Sequence, residues 1–457
     1  MGRINANIFY IRDLDFTKFN IPFYQRPYRW KTSHVETLLN SLRDNLKKVE
    51  YRIGSIILNP NDDKVEIVDG QQRLITLSLL FISLEGKETI HKLSCKFDHS
   101  DSQQNIFNNY HYIQQWLTIN HIDKTPFLEF ILNKCSMVVI TAEDLSDAFQ
   151  MFDSQNGRGK ELEAYNLLKA YHLRAIDNES TSIRITEEKK RIDRQWESSV
   201  LMKPIDSDDS LLKNLINSLY RIRQWSHQRD AWSFNKTRVK EFKGIQFSDN
   251  KSDSPLKNRS LLLYRYYASI SGAAPRCTNG DDGQNPFVSI TMDIINGKLF
   301  FEYINTYVKA YEYVISDNKE IGHPLYEFQE DFKKYCLNYE GSSRKGDSYI
   351  REVYIALVLA IYDRFGEEYV SRYYKTLYNL AYRERLNLKR VFYERTANFP
   401  KKYFECITTS LDDSGLTLLR EYANENIDWR ANNVDVIAKY ILKCGGHIIK
   451  EGKEMND

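Results

Sequence analysis

Up to Ile176 the apolar residues of this chain recur at two different periods. Val35, Leu38, Leu39, Leu42 and Leu46 lie on one helical face, and Ser33 with Glu36 three residues later predicts a capping box ahead of them. Ile53 to Leu58 (IGSIIL) is a short apolar run, Asn59-Pro60-Asn61-Asp62-Asp63 is turn chemistry, and Lys64 to Val68 alternates polar with apolar. Together these three segments predict a β-hairpin. Leu74, Leu77, Leu80, Phe81 and Leu84 then predict a second helix. Met137 to Ile140 reads as a further strand leading into a helix capped at Thr141 and Asp144, with Leu145, Ala148, Phe149 and Phe152 as its buried stripe. That helix ends at Asn156-Gly157-Arg158-Gly159, and Ala164, Leu167, Leu168 and Tyr171 resume the helical period.

Beyond Ile176 strand signals become rare. Ile350 to Phe365 and Tyr369 to Leu388 have helical period and are rich in Tyr, while Gln246 to Ser260 and Ser271 to Pro286 have loop composition. No period in the solenoid or propeller range repeats. The pattern predicts an α+β chain with a mixed domain over residues 1–178 and a mainly helical domain over 179–457.

Composition narrows the class. A chain of 457 residues with 42% hydrophobic and 28% charged residues can bury a sizeable core and lies away from the disordered corner. The longest near-continuous apolar run, Leu74 to Leu84, is shorter than the ~20 residues of a bilayer span. Residues 1–10 carry no basic region followed by an apolar stretch, and Ala6 stands where a myristoylation signal needs Ser or Thr, so the expectation is a cytoplasmic protein without a membrane partner. Six cysteines are scattered singly, which suggests neither a disulfide framework nor a zinc site. Net charge is only +2, yet Ser371 to Tyr403 holds nine Lys or Arg against two Glu. That segment, with Arg383, Arg385, Lys389 and Arg390, is the candidate DNA-binding surface; its alternative is a solvated helix face with Tyr in the core. Arg221, Arg223, Arg229, Lys236, Arg238, Lys240 and Lys243, interleaved with Trp225, Trp232 and Phe234, form a second contender.

Three segments offer chemistry. In Val65 to Arg73 (VEIVDGQQR) a strand ends at Asp69, Gly70 removes side-chain bulk and a helix begins at Gln71. The first amides of a helix lack internal partners and sit at its positive end, and Arg73 adds a guanidinium fork, so this turn suits a phosphate. The local pattern also fits a plain strand-to-helix turn capped by Asp69. In Ile21 to Trp30 (IPFYQRPYRW) two prolines stiffen a path on which Phe23, Tyr24, Tyr28 and Trp30 alternate with Gln25, Arg26 and Arg29. Such an arm either stacks a base between rings and guanidinium or plugs the domain with aromatic core residues. The third, Phe152 to Lys160 (FDSQNGRGK), is a loop able to complete a phosphate pocket or a simple helix C-cap.

In order, IPFYQRPYRW, GSIIL, VDGQQRLITL and FDSQNGRGKELEAYNLLKAY resemble the N-terminal domain of GmrSD-type modification-dependent restriction systems. The resemblance implies a ParB/sulfiredoxin-like fold that binds and hydrolyses a nucleoside triphosphate with Mg²⁺ or another divalent cation and controls DNA cleavage. It also assigns roles: Asp69, Gln71, Gln72 and Arg73, around Gly70, would hydrolyse the nucleotide. Tyr24, Gln25, Arg26, Tyr28 and Trp30 would line the adjoining pocket, and Asn156, Arg158 and Gly159 would close it. Asn166 and Ile75 depart from the residues common in that family. No HNH-type nuclease motif is recognisable, since the only His late in the chain is His447. The expectation is therefore a specificity and NTPase subunit acting on DNA, modified or not, beside a separate nuclease or effector, with homo-oligomerisation left open. A non-hydrolysing sensor is the alternative.

Overall fold

A computed structural model describes residues 3–22, 25, 27–61, 64–86, 88–95, 97, 100–143, 147–148, 151, 163–177, 183–207, 209–245 and 288–455. Tyr24, Arg26, Asn156, Arg158 and Gly159, the loop-like stretches at 246–260 and 271–286, and most of the helix expected after Thr141 lie outside them. The contacts divide the chain into two units between Ala170 and Tyr171, where the apolar pattern suggests 178/179.

The first unit is built on a mixed sheet of five strands: β1 (Ile4–Tyr10), β2 (Phe19–Asn20), β3 (Tyr51–Asn61), β4 (Lys64–Asp69) and β5 (Cys135–Ala142). Their order across the sheet is β1-β5-β3-β4-β2. β3 and β4 form the expected hairpin, while β3 runs parallel to β5, with a register shift between Arg52 and Gly54. Among the described residues the sheet is accompanied by α1 (Thr32–Asp44), α2 (Gln71–Glu85), α3 (Ser100–Ile119) and α4 (Lys124–Lys134). α1 starts before the expected Ser33 cap, because the Lys31 amide donates to Nδ1 of His34 at 3.2 Å and closes the first turn. α2 is buried on nearly every side; Leu74, Leu77, Leu80 and Phe81 join Ile56, Leu58 and Ile67 of the sheet in one core. An apolar sequence all round a helix has no other stable place.

The second unit is mainly helical. After α5 (Ala164–Asp177), which carries the chain across the division, come α6 (Ile183–Leu201), α7 (Leu211–Ser226), α8 (Lys298–Tyr311), α9 (Tyr326–Phe332), α10 (Lys345–Phe365) and α11 (Glu367–Asn387). α12 (Tyr393–Asn398), α13 (Lys401–Thr409), α14 (Thr417–Ala423) and α15 (Asp435–Lys443) follow, with a small sheet of β6 (Ile427–Asp428), β7 (Ile448–Lys450) and β8 (Lys453–Met455). α10 and α11 form a hairpin turning at Gly366, and their tyrosines point inward: Tyr354, Tyr373, Tyr374, Tyr378 and Tyr382 are all buried. Tyr374 and Tyr440 both donate to Asp331, and Tyr373 donates to Asp413. No described helix is long and apolar enough to cross a membrane.

This packing overturns half of the basic surface expected at residues 371–403. Arg383 is buried and donates to the carbonyls of Tyr422 and Glu425, and Arg385 is buried with its Nε 3.0 Å from Oδ2 of Asp347. Arg395 lies against Glu384. Lys389 and Arg390, beyond the end of α11, are exposed. In the second basic contender Arg221 is buried and Arg223 partly so, whereas Arg229, Lys240 and Lys243 are exposed. Arg221 lies between the rings of Trp225 and Tyr393, donates to Thr396 and pairs with Glu352. Arg223 donates to the carbonyls of Ile290 and Met292. A cation inside a helical core needs such acceptors, and runs of Arg in sequence do not reveal which side chains have found them.

Removing one partner of a buried ion pair leaves the other charge uncompensated. Arg385→Met should lower stability by about 3–5 kcal/mol, whereas Lys389→Met should change it by no more than about 0.5 kcal/mol. Urea midpoints of the two variants measure the difference.

Candidate functional site

The candidate site grows from one turn. Strand β4 ends at Asp69, and Gly70 adopts φ 89° and ψ 3° as the N-cap of α2, a left-handed conformation that L side chains resist. A second restraint acts on the same residue, because a Cβ there would lie 2.6 Å from Cγ2 of Ile56. Gly70 thus lets the helix start hard against β3. Its carbonyl accepts from the amide of Leu74, while the amides ahead of Leu74 open the helix at its positive end.

Arg73 points back over the sheet. Its Nη1 donates to the carbonyl of Ser55 at 3.0 Å, and its guanidinium occupies the space above Gly54, where a Cβ would come within 2.7 Å of Nη1. Gly54 lies at the register shift of β3 with φ 149°, so the irregularity that interrupts the ladder also makes room for the guanidinium. Burial draws the Arg73 pKa below its ordinary value, and the nearby charge of Asp69 opposes that shift. The sequence places Gly54 in an apolar run and carries no sign of this role; the φ and the overlapping Arg73 become visible only when the strand register is known.

The aromatic arm takes the plugging alternative at two of its residues. Tyr28 is almost fully buried, with its hydroxyl 2.8 Å from Oγ1 of Thr76 and accepting from Nδ2 of Asn109 at 2.9 Å. Burial pushes its pKa up. Its amide donates to Ser102 and its carbonyl accepts from Asn105. Trp30 is partly buried, stacks on His34 and has its carbonyl held by Asn109. Gln25 is pinned to the end of β4, where its Nε2 donates to the carbonyls of Ile67 and Val68 at 3.0 and 2.7 Å.

Gln72 is tied to the arm. Expected to take part in hydrolysis, it is buried and its amide is committed to the arm: Oε1 accepts from the amides of Arg29 and Trp30 at 2.8 and 3.2 Å, and Nε2 donates to the carbonyl of Pro27 at 3.2 Å. It is a fastener. Gln71 is buried as well. Among the expected residues, the structure groups Asp69, Gly70, Arg73 and Gln25 around the strand-to-helix turn, and it places Gln72, Tyr28 and Trp30 in the clamp that holds the arm to α2 and α3. The clamp residues Thr76, Ser102, Asn105 and Asn109 were missed. Their signal is a polar face, with Ser102, Asn105 and Asn109 at helical spacing on a helix whose other buried positions are apolar.

Among the described residues no group of three or more His, Cys, Asp or Glu side chains could hold a metal ion. Mg²⁺ is commonly held by one or two carboxylates with phosphate oxygens and water, and Asp69, whose charge acts on Arg73, is the carboxylate at the turn.

Two family matches bear on this geometry. Residues 10–173 match the N-terminal domain of GmrSD restriction endonuclease, which makes the first unit a GmrSD-type N-terminal domain. Residues 188–435 match a family of unknown function (DUF7834), over more than half the chain, and the chain belongs to that family. Neither match is to a nuclease domain. No curated protein matches the chain.

Gln72→Leu should orphan two amides and a carbonyl of the arm, lowering stability by about 1–3 kcal/mol. It should also red-shift indole emission, and that shift should vanish in a Trp30→Phe background. Gly70→Ala should cost at least about 1–2 kcal/mol through its backbone conformation alone, read as a fall in the urea midpoint.

Proposed function

We propose that this protein is a component of a GmrSD-type restriction system whose N-terminal unit binds a nucleoside triphosphate at the Asp69–Arg73 turn and hydrolyses it to control DNA cleavage by a separate nuclease. The observation that carries the reading is the junction itself: α2 starts at Gly70 directly after Asp69, and Arg73 in its first turn is held on β3 by the carbonyl of Ser55. Phosphate oxygens are stabilised by the opening amides of a helix and by a guanidinium fork. Asp69 would hold the divalent ion or orient the attacking water, and Gln25 would fix the strand end beside it. A bound divalent ion would supply charge neutralisation at the phosphates. The five-stranded mixed sheet with its helices supports the ParB/sulfiredoxin-like reading of this unit. A protein acting inside the cell on DNA is the setting this function requires.

One observation favours a second reading, in which the same site binds nucleotide or modified DNA without turnover. Both glutamines of the motif are buried and Gln72 is spent on the arm, so few groups remain to position water.

Phosphate release from ATP and GTP with Mg²⁺ distinguishes the two. Under the first reading Arg73→Ala and Asp69→Asn each lower release roughly 100-fold or more while circular dichroism is unchanged; release unaffected by both variants rules that reading out. Saturable nucleotide binding without release by the unmodified protein would select the second.

A further inference from the structure

The end of the α10–α11 hairpin holds a surface that the N-terminal site does not explain. α10 begins at Lys345 and α11 ends at Asn387, and because the two helices turn back at Gly366, these termini lie at the same end. The segment after α11 packs on the first turn of α10. A Cβ on Gly346 would come within 3.2 Å of the Cβ and carbonyl oxygen of Val391, and the rings of Tyr349 and Tyr393 meet edge to face at 4.9 Å. Lys345, Lys389, Arg390 and Phe392 are thereby brought together, all exposed, with Phe392 67% exposed to solvent.

Charge separates this group from the basic residues around it. Arg383, Arg385 and Arg395 are each engaged by an acidic side chain. Asp347, the acid in the first turn of α10, is buried against Arg385 and Tyr339 and does not offset the surface charge. Lys345, Lys389 and Arg390 form no ion pair with a described acidic residue, and Arg344 at the rim donates to the carbonyl of Asn433. Glu394 is the exposed acid in the adjoining turn. The amino end of a helix of 21 residues adds its positive pole to the same place.

An exposed aromatic ring beside cations offers a face for stacking next to sites for negative charge. The ligand that uses both is anionic and presents flat apolar faces. Phospholipid headgroups and acidic peptides meet the first condition, whereas a nucleic acid strand with unstacked bases meets both, placing phosphates on the cations and a base on the ring. We infer that this end of the second unit binds single-stranded nucleic acid, with Lys345, Lys389 and Arg390 on phosphates and Phe392 stacked on a base. The inference goes beyond the nucleotide site and does not depend on turnover there.

The test is anisotropy of a fluorescein-labelled single-stranded oligonucleotide titrated with the full chain over a salt series, with no nucleotide added. Lys389→Glu combined with Arg390→Glu should reduce the slope of log affinity against log salt by roughly 1.4, at about 0.7 per phosphate contact. Phe392→Ala should weaken binding roughly 5- to 150-fold with the slope unchanged. Phe392→Trp should retain affinity and add an indole emission that the oligonucleotide quenches. The control, Lys309→Glu with Lys439→Glu, changes net charge equally at exposed positions elsewhere and should keep the original slope. No binding, an equal loss of slope in the control, or full affinity in Phe392→Ala would each overturn the proposal; the last, with matching affinity for phosphatidylserine vesicles, would assign the surface to a membrane instead. Oligonucleotide binding without phosphate release would remove the hydrolysis reading alone, and release without oligonucleotide binding would remove this surface alone.

Discussion

Everything at the N-terminal site depends on how closely α2 approaches β3. The approach is set where Gly70 meets Ile56, since the turn needs both a left-handed backbone and the absence of a side chain. From that contact the helix direction follows, and with it the positions of three consecutive side chains. Gln71 and Gln72 are driven into the interior, while Arg73 returns across the strand to Ser55 above Gly54. Two glycines, one at the start of α2 and one in β3, therefore serve one guanidinium. One starts its helix and the other clears its resting place.

The polar groups carried inside by this arrangement could be kept there only if they were bonded. Gln72 meets the condition by bracketing the main chain of the arm, and the hydroxyl of Tyr28 meets it between Thr76 and Asn109. The arm from Pro27 to Trp30 is thus sewn to α2 and α3. That division of labour shapes the functional reading. Of the two glutamines Gln72 holds the arm and Gln71 is buried, and the charged groups of the turn are Asp69 and Arg73.

The second unit applies the same rule to charges. Arg221, Arg351 and Arg385 are buried, and each reaches backbone carbonyls or acidic side chains that neutralise it. Lys389 and Arg390 come only a few residues after Arg385 yet lie in water, because the helix ends and the chain leaves the core. Burial follows helix geometry rather than sequence density of charge, so a basic stretch divides into structural and accessible cations within a single turn.

Much of the architecture is legible in the order of residues. The hairpin of β3 and β4, the strand β5, the apolar helix α2 and the helical, Tyr-rich second half follow from apolar periodicity, because a face that must leave water repeats at the period of its element. The Asp-Gly junction is equally plain, since few residues tolerate the turn between Val68 and Gln71. Four ordered motifs also point to the GmrSD-type domain that the family match identifies over residues 10–173. What sequence order does not contain is which polar groups meet. Whether Gln72 faces a ligand or the amides of Arg29 and Trp30, whether Arg385 faces solvent or Asp347, and why Gly54 must be glycine are decided by contacts between segments far apart in the chain. Periodicity reports only that a residue is on an inward or outward face; the identity of its partner is a property of the packed tertiary structure, and for a buried polar side chain that partner decides its role.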